Sequence, residues 1–215
     1  LTKKLVEKMI DLYKIRDMLN VVHDFICKHV WFLRCVYETK GSSAPITMSN
    51  LFLQRVIGFN RFIPWPVHRS SRIFGIRWIK LGVNTAPGGS HGCYIFAKED
   101  APIEIGDYTI VAPNVGIAGF NHDVFDISRF ESGGGVHIGR YCWLGMNSII
   151  VPGVTLGDHT IVAAGAVVTK SFPEGYCILG GNPARKLREL PKEQVVEHKH
   201  PFEYIGYRRV SKGGA

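Results

Sequence analysis

His122 is the residue in this chain best placed to move a proton. It stands in GFNHDVFDISRFESGGG, from Gly119 to Gly135, an irregular segment that interrupts a regular repeat. An imidazole has an ordinary pKa of about 6.5, so it can take a proton from a reacting hydroxyl near neutral pH. Asn121 and Asp123 flank it and could orient the ring or touch an acceptor, although both would be ordinary as polar loop residues. Residue types alone also leave His122 readable as a surface histidine without a role. A second concentration of chemistry lies further on, where Lys170, Arg185, Lys186 and Arg188 collect toward one end. Positive charge of that kind suits phosphate groups, or else is simply solvated.

The elements that must hold these groups are announced by a period of six. Ile138, Leu144, Ile150, Leu156, Val162 and Val168 open successive six-residue blocks, and Gly139, Gly145, Gly157 and Ala163 follow in the second position. Six is a multiple of the strand period of two and is incompatible with a helical face, so one aliphatic residue per block can always point inward. Short strands on the walls of a prism, stacked coil on coil, satisfy that pattern, and such a solenoid buries its core only against its neighbours. Stepping back by six from Ile105 gives Glu99, Cys93, Pro87 and Leu81, and stepping forward gives Val111 and Ile117. From Ile117 to Ile138 the step is 21 residues, one block plus a 15-residue insertion that has to leave the wall. His122 sits at its root.

This repeat resembles that of the hexapeptide acyltransferases, which implies a mainly β fold: a left-handed parallel β-helix. WPVHRSSRI, from Trp65, resembles the lead-in to the repeat in sugar and polysaccharide O-acetyltransferases of that superfamily, and VVTK…GNPARK…R, from Val167 to Arg188, resembles the signature of its acetyl-CoA-dependent members. The likeness spans roughly residues 64 to 190. It implies transfer of an acetyl group from acetyl-CoA to a hydroxyl of a sugar or polysaccharide precursor, with His122 as general base and Arg129 completing the H-x6-R spacing of the maltose and galactoside group. Trp143, Met146, Ala164, Thr169, Lys170, Arg185 and Arg188 match coenzyme-contacting positions. Met146 replaces a common Ser, and Gly92 replaces an acceptor-binding Asn, which puts a galactoside acceptor in doubt. A homotrimer with active sites between subunits is implied too. Serine, amino-sugar or antibiotic acceptors are alternatives, as is a non-catalytic assembly module. Gamma-class carbonic anhydrases share this fold and bind zinc through three histidines, two of them five residues apart. Beside His91 and His137, the positions five before and after His122 are Ile117 and Ile127, so no metal is expected.

The flanks read differently. Three units are expected: a helical N-terminal extension over 1–63, the β-helix over 64–190, and a short C-terminal helix and tail over 191–215. Residues 1 to about 38 repeat Met9, Leu12, Ile15, Leu19, Val22 and Ile26 at threes and fours, as does Leu5, and predict one helix. Ser49 is expected to cap a second over about 50 to 58, closed by Gly58, while Trp65 and His68 are expected to plug the open end of the solenoid. The net charge of +8 is uneven: residues 1–80 carry 14 Lys and Arg against 5 Asp and Glu, and residues 81–190 carry 7 against 10. The first helix therefore packs on protein or lies on an anionic membrane surface as a peripheral contact. No nucleic-acid partner is expected, because no Lys/Arg run interleaves with aromatics. Five scattered cysteines without a C-x-x-C pair, and no signal-peptide pattern in the first forty residues, suit a cytoplasmic protein.

Overall fold

The computed structural model describes residues 3–210; the side chain of Leu5 and residues 211–215 of the expected tail lie outside the described residues. The blocks form short parallel strands on three walls. The first wall stacks Arg72–Phe74, Tyr94–Phe96, Gly116–Ala118, Ile149–Ile150 and Val167–Val168. The second stacks Ile79–Leu81, Ile103–Ile105, Val136–Ile138 and Thr155–Leu156, and the third stacks Ile110–Val111, Trp143–Leu144, Thr160–Val162 and Cys177–Gly180. The chain visits the walls in that order, coil after coil. Arg185–Glu189 closes the third wall as an antiparallel edge strand.

Parallel register puts like residues on top of each other. Ile95, Ile117, Ile150 and Val168 form one inward column, Ile105, Ile138 and Leu156 a second, and Leu144, Val162 and Leu179 a third, each at most 2% exposed. The small residue at the second block position has a direct cause. A Cβ on Gly106 would lie 2.6 Å from the carbonyl carbon of Gly139 in the next coil, closer than atoms pack. At the same corner Tyr108, Tyr141, His159 and Tyr176 stack their rings, with centroids 5.2, 5.1 and 4.9 Å apart, each from a residue of positive φ.

The uniform step of six fails between Leu81 and Ile105. The strand there is Tyr94–Phe96 with Ile95 inward; Cys93 is buried just before it, and Glu99 is exposed in a tight turn closed by Lys98 N–H to the Ala101 carbonyl at 3.2 Å. Extra residues at two corners shift the phase without breaking the stack. All five cysteines are free thiols.

The flanks depart from expectation in three places. The first helix, α1 (Lys3–His29), ends where Val30 turns extended, and the chain folds back through Trp31–Leu33 into α2 (Arg34–Glu38). This reversal lets Cys27, Val36, Ile46 and Tyr204 form a second small core. The next helical segment begins at Met48, not 50, and Thr47 caps it instead of Ser49: the Thr47 hydroxyl accepts from Asn50 N–H while the Asn50 side chain accepts from Thr47 N–H. It continues as a π-helical run, Leu51–Ile57, closed by Gly58 at φ +100 as expected. At the C-terminal end the helix expected after Pro191 is one 3-10 turn, Lys192–Gln194. Beyond it the chain has no apolar helical period; it runs extended and pairs Tyr204–Ile205 with Arg208–Arg209 around Gly206. Trp65 does plug the solenoid, 3% exposed with its Nε1–H on the Pro87 carbonyl at 2.9 Å, but His68 stays outside the plug beside His91.

Candidate active site

The 15-residue insertion leaves the first wall after Ile117 as a hairpin, Phe120–His122 paired antiparallel with Phe130–Ser132. Alternation along a strand puts Phe120 and His122 on one face with Phe130, and Asn121 on the other beside Glu131. The His122 ring lies 4.5 Å from the Phe130 ring, and its Nδ1 is 2.7 Å from the Ile127 carbonyl oxygen. A carbonyl only accepts, so Nδ1 carries the hydrogen and Nε2 presents a lone pair outward. That is the tautomer a general base needs, fixed by the hairpin itself.

The residues around His122 divide by task. Asp123 Oδ1 accepts from Phe125 N–H at 2.7 Å and Asp126 N–H at 3.1 Å, and Asp123 N–H donates to the Arg129 carbonyl at 3.0 Å. Arg129 Nε pairs with Asp126 at 3.0 Å, while the Ser128 hydroxyl and N–H hold the Asp126 carboxyl below its ordinary range. Asp123 and Arg129 thus close the loop that carries Ile127, and Asn121 faces away from the imidazole. Sequence reasoning missed Ile127 and Phe130. Alternating aromatics at Phe120 and Phe130 were the available sign of a hairpin; nothing in the sequence marks a backbone carbonyl.

The coenzyme-type residues lie along the third wall and its corner with the first. Trp143 is in register with Ile161, Ile161 with Ile178, and Ile178 with Arg188, so three strand spacings of about 4.8 Å, roughly 14 Å, separate the indole from the guanidinium strand. At the corner, Gly165 N–H donates to the Met146 carbonyl at 2.8 Å, which stacks Met146 over Ala164 and Gly165. A Cβ on Gly165 would meet nothing within 4 Å, so this edge is open. Thr169 and Lys170 follow Val168 on the first wall, and the Gly181–Ala184 loop bonds to both sides of Val167 at 3.0 and 2.8 Å, bringing Arg185 to the same end. Trp143, Met146, Ala164, Thr169, Lys170, Arg185 and Arg188 are all exposed. Trp143 and Ala164 offer an apolar strip, and the three cations a positively charged end, which fits a long ligand with phosphates at one end. His137 lies on the second wall against Glu104 at 3.4 Å, and His91 meets His68 edge to face, so these histidines are held apart from His122. No group of three metal-ligating side chains forms among the described residues.

The family model for bacterial transferase hexapeptide repeats matches residues 135–170, which are these stacked coils. Over that stretch the chain carries the hexapeptide repeat of the bacterial transferases. Among solved structures, the hexapeptide-repeat chain is similar to a maltose O-acetyltransferase from Clostridium difficile (25% identity, TM-score 0.51, 77% of this chain and 91% of that one). It is similar also to a galactoside acetyltransferase in complex with coenzyme A (25% identity, TM-score 0.52, 77% and 82%). The fold is the left-handed parallel β-helix. Of the curated proteins, galactoside O-acetyltransferase of Escherichia coli is 35% identical over 95 residues, 43% of this chain and 46% of that protein. The chain spans about half the length of the curated relatives it matches.

Proposed function

We propose that this hexapeptide-repeat protein is an acetyl-CoA-dependent O-acetyltransferase acting on a hydroxyl of a sugar or polysaccharide precursor. The observation that carries the reading is the His122 Nδ1 contact with the Ile127 carbonyl, because it leaves Nε2 as a base at the mouth of an insertion in a β-helix that also carries an open, cation-ended edge. The acceptor hydroxyl gives its proton to Nε2 as its oxygen attacks the thioester carbonyl. The C–S bond then breaks, CoA leaves as the thiol after protonation, and no covalent enzyme intermediate forms. Arg185, Arg188 and Lys170 hold the phosphates, and Trp143 and Ala164 flank the pantetheine arm. Backbone N–H groups near Met146 face the developing oxyanion. The working form is a homotrimer in which His122 of one subunit meets the coenzyme edge of the next. We assign catalysis to the unit 64–190, with 1–63 and 191–215 as flanks, and place the protein in the cytoplasm.

The test is thiol release from acetyl-CoA with sugars, serine, amino sugars and antibiotics as acceptors. Turnover with a saccharide that falls about 10²- to 10⁴-fold in His122→Ala, with KM for acetyl-CoA unchanged, supports the assignment. An undiminished rate in His122→Ala overturns the general-base role. Absence of turnover with every acceptor favours an assembly module.

A further inference from the structure

We propose that α1 is one strand of a parallel three-stranded coiled coil, formed with the α1 helices of two further copies of this chain. The first observation is a period. Leu5, Leu12, Leu19 and Ile26 recur every seven residues, with Ile15 and Val22 three residues after the second and third. This is the a/d seam of a heptad, averaging 3.5 residues per step where a surface helix packed on its own domain follows 3.6.

The second observation is that the seam has no partner within the chain. Leu12, Ile15, Leu19, Val22 and Ile26 are 46–59% exposed, although a helix of 27 residues reaches about 40 Å. What docks α1 on the body is a different face. Cys27 is buried in the second core, Asp24 pairs with Lys40, and Asn20 lines a cavity of about 270 Å³ with residues 40–48. With Leu19 and Ile26 at position a, these three fall at b and f, nearly opposite the seam at 100° per residue. The body therefore fixes the helix with its seam turned outward, flanked by the exposed Met18, Val21 and Phe25, and a contiguous apolar surface of that kind marks an interaction surface.

The third observation selects the occupant. Leu at a with β-branched Ile and Val at d favours assemblies of three or more strands over two. In sequence, Asp11 and Arg16 occupy g and e five residues apart, the spacing at which opposite charges pair between neighbouring strands of a parallel coil. A lipid surface is the poorer match. Residues 3–29 carry 6 Lys and Arg against 4 Asp and Glu, which gives little attraction to anionic headgroups, and no described helix is long and apolar enough to cross a membrane.

Amide hydrogen exchange on the full chain decides this, with sedimentation to give the molar mass. Mass alone is insufficient, because the β-helix could associate without α1. In the wild type, amides of residues 12–26 should exchange at least tenfold more slowly than in the Leu12→Asn/Leu19→Asn chain, and should speed up on dilution. Ile10→Ser, at position f, should leave that protection intact. Both substituted seam positions are exposed in the single chain, so the β-helix should keep its thermal midpoint. Equal exchange in the wild type and the seam variant overturns the proposal. So does protection that arises only when phosphatidylglycerol vesicles are added, or a wild-type mass of two copies. Because exchange and not turnover is read, failure here leaves the catalytic reading standing, and failure of the catalytic reading leaves this one.

Discussion

Asp123 separates two accounts of the loop beside His122. If its carboxylate serves the loop, through the bonds from Phe125 N–H at 2.7 Å and Asp126 N–H at 3.1 Å, then Asp123→Asn keeps the accepting oxygen and should lose little. Asp123→Ala removes both bonds. Each is worth about 0.5–1.5 kcal/mol in this exposed setting, so the loop loses about 1–3 kcal/mol of local order. Ile127, which fixes the His122 tautomer, lies inside that loop. The population of correctly oriented imidazole can therefore fall by one to two powers of ten at most, since about 1.4 kcal/mol is a tenfold change. The assay is steady-state thiol release with the best acceptor. Expected for Asp123→Ala is a kcat lowered about 5- to 100-fold with KM for acetyl-CoA unchanged, and for Asp123→Asn a loss within about threefold. Equal damage from both variants would refute the argument, because the charge itself would then act on the imidazole or the acceptor.

Other perturbations report on the frame, the edge and a corner. Leu144→Ala empties a fully buried inward position one residue from Trp143, and should cost about 2–5 kcal/mol and lower Tm by about 5–15 °C in scanning calorimetry, whereas exposed Met146→Ser should change Tm by under about 2 °C. Arg188→Ala should raise KM for acetyl-CoA about 5- to 30-fold with little change in kcat, an effect that shrinks as salt rises in the same assay. Burial alone would raise the Asp158 pKa, but the Arg140 N–H at 2.6 Å and the Arg140 guanidinium at 2.8 Å outweigh it and hold the carboxyl below its ordinary range. A depressed native pKa gives stability that is present above the unfolded value of about 3.9 and is lost as pH falls through the native one. Urea midpoints should therefore drop more steeply below pH 4 in the wild type than in Asp158→Asn, which should be the less stable chain at pH 7.

The coils were legible in the sequence where stacking constraints repeat without relief. From Ile138 to Val168 one residue of every wall strand must face in and every corner must admit the next coil, so the inward column and Gly139 or Gly157 recur on schedule. Where a corner can bulge outward the schedule relaxes, which is why Glu99 fell in a turn and Ile95 took the inward place. The ring stack of Tyr108, Tyr141, His159 and Tyr176 was overlooked because its members are 33, 18 and 17 residues apart in sequence, and only coil geometry makes them neighbours.

The same distinction runs through the candidate site. Lys170, Arg185 and Arg188 are side-chain signals attached to regular strands, and their placement at one end follows from register. His122 belongs to the insertion, whose geometry depends on a hairpin and a loop closed by Asp123, Asp126 and Arg129. The contact that fixes the His122 tautomer comes from a backbone carbonyl, and every residue type carries one. Its identity had to come from the fold. The flanks invert the lesson: the alternation of threes and fours in residues 5–26 did announce a helix, but its average of 3.5 residues per step carried a second message. A helix resting on its own β-helix would drift toward 3.6, and α1, docked by Cys27 on the far side, is under no such constraint. In the proposed three-stranded coil, that period is what keeps the seam facing the neighbouring helices.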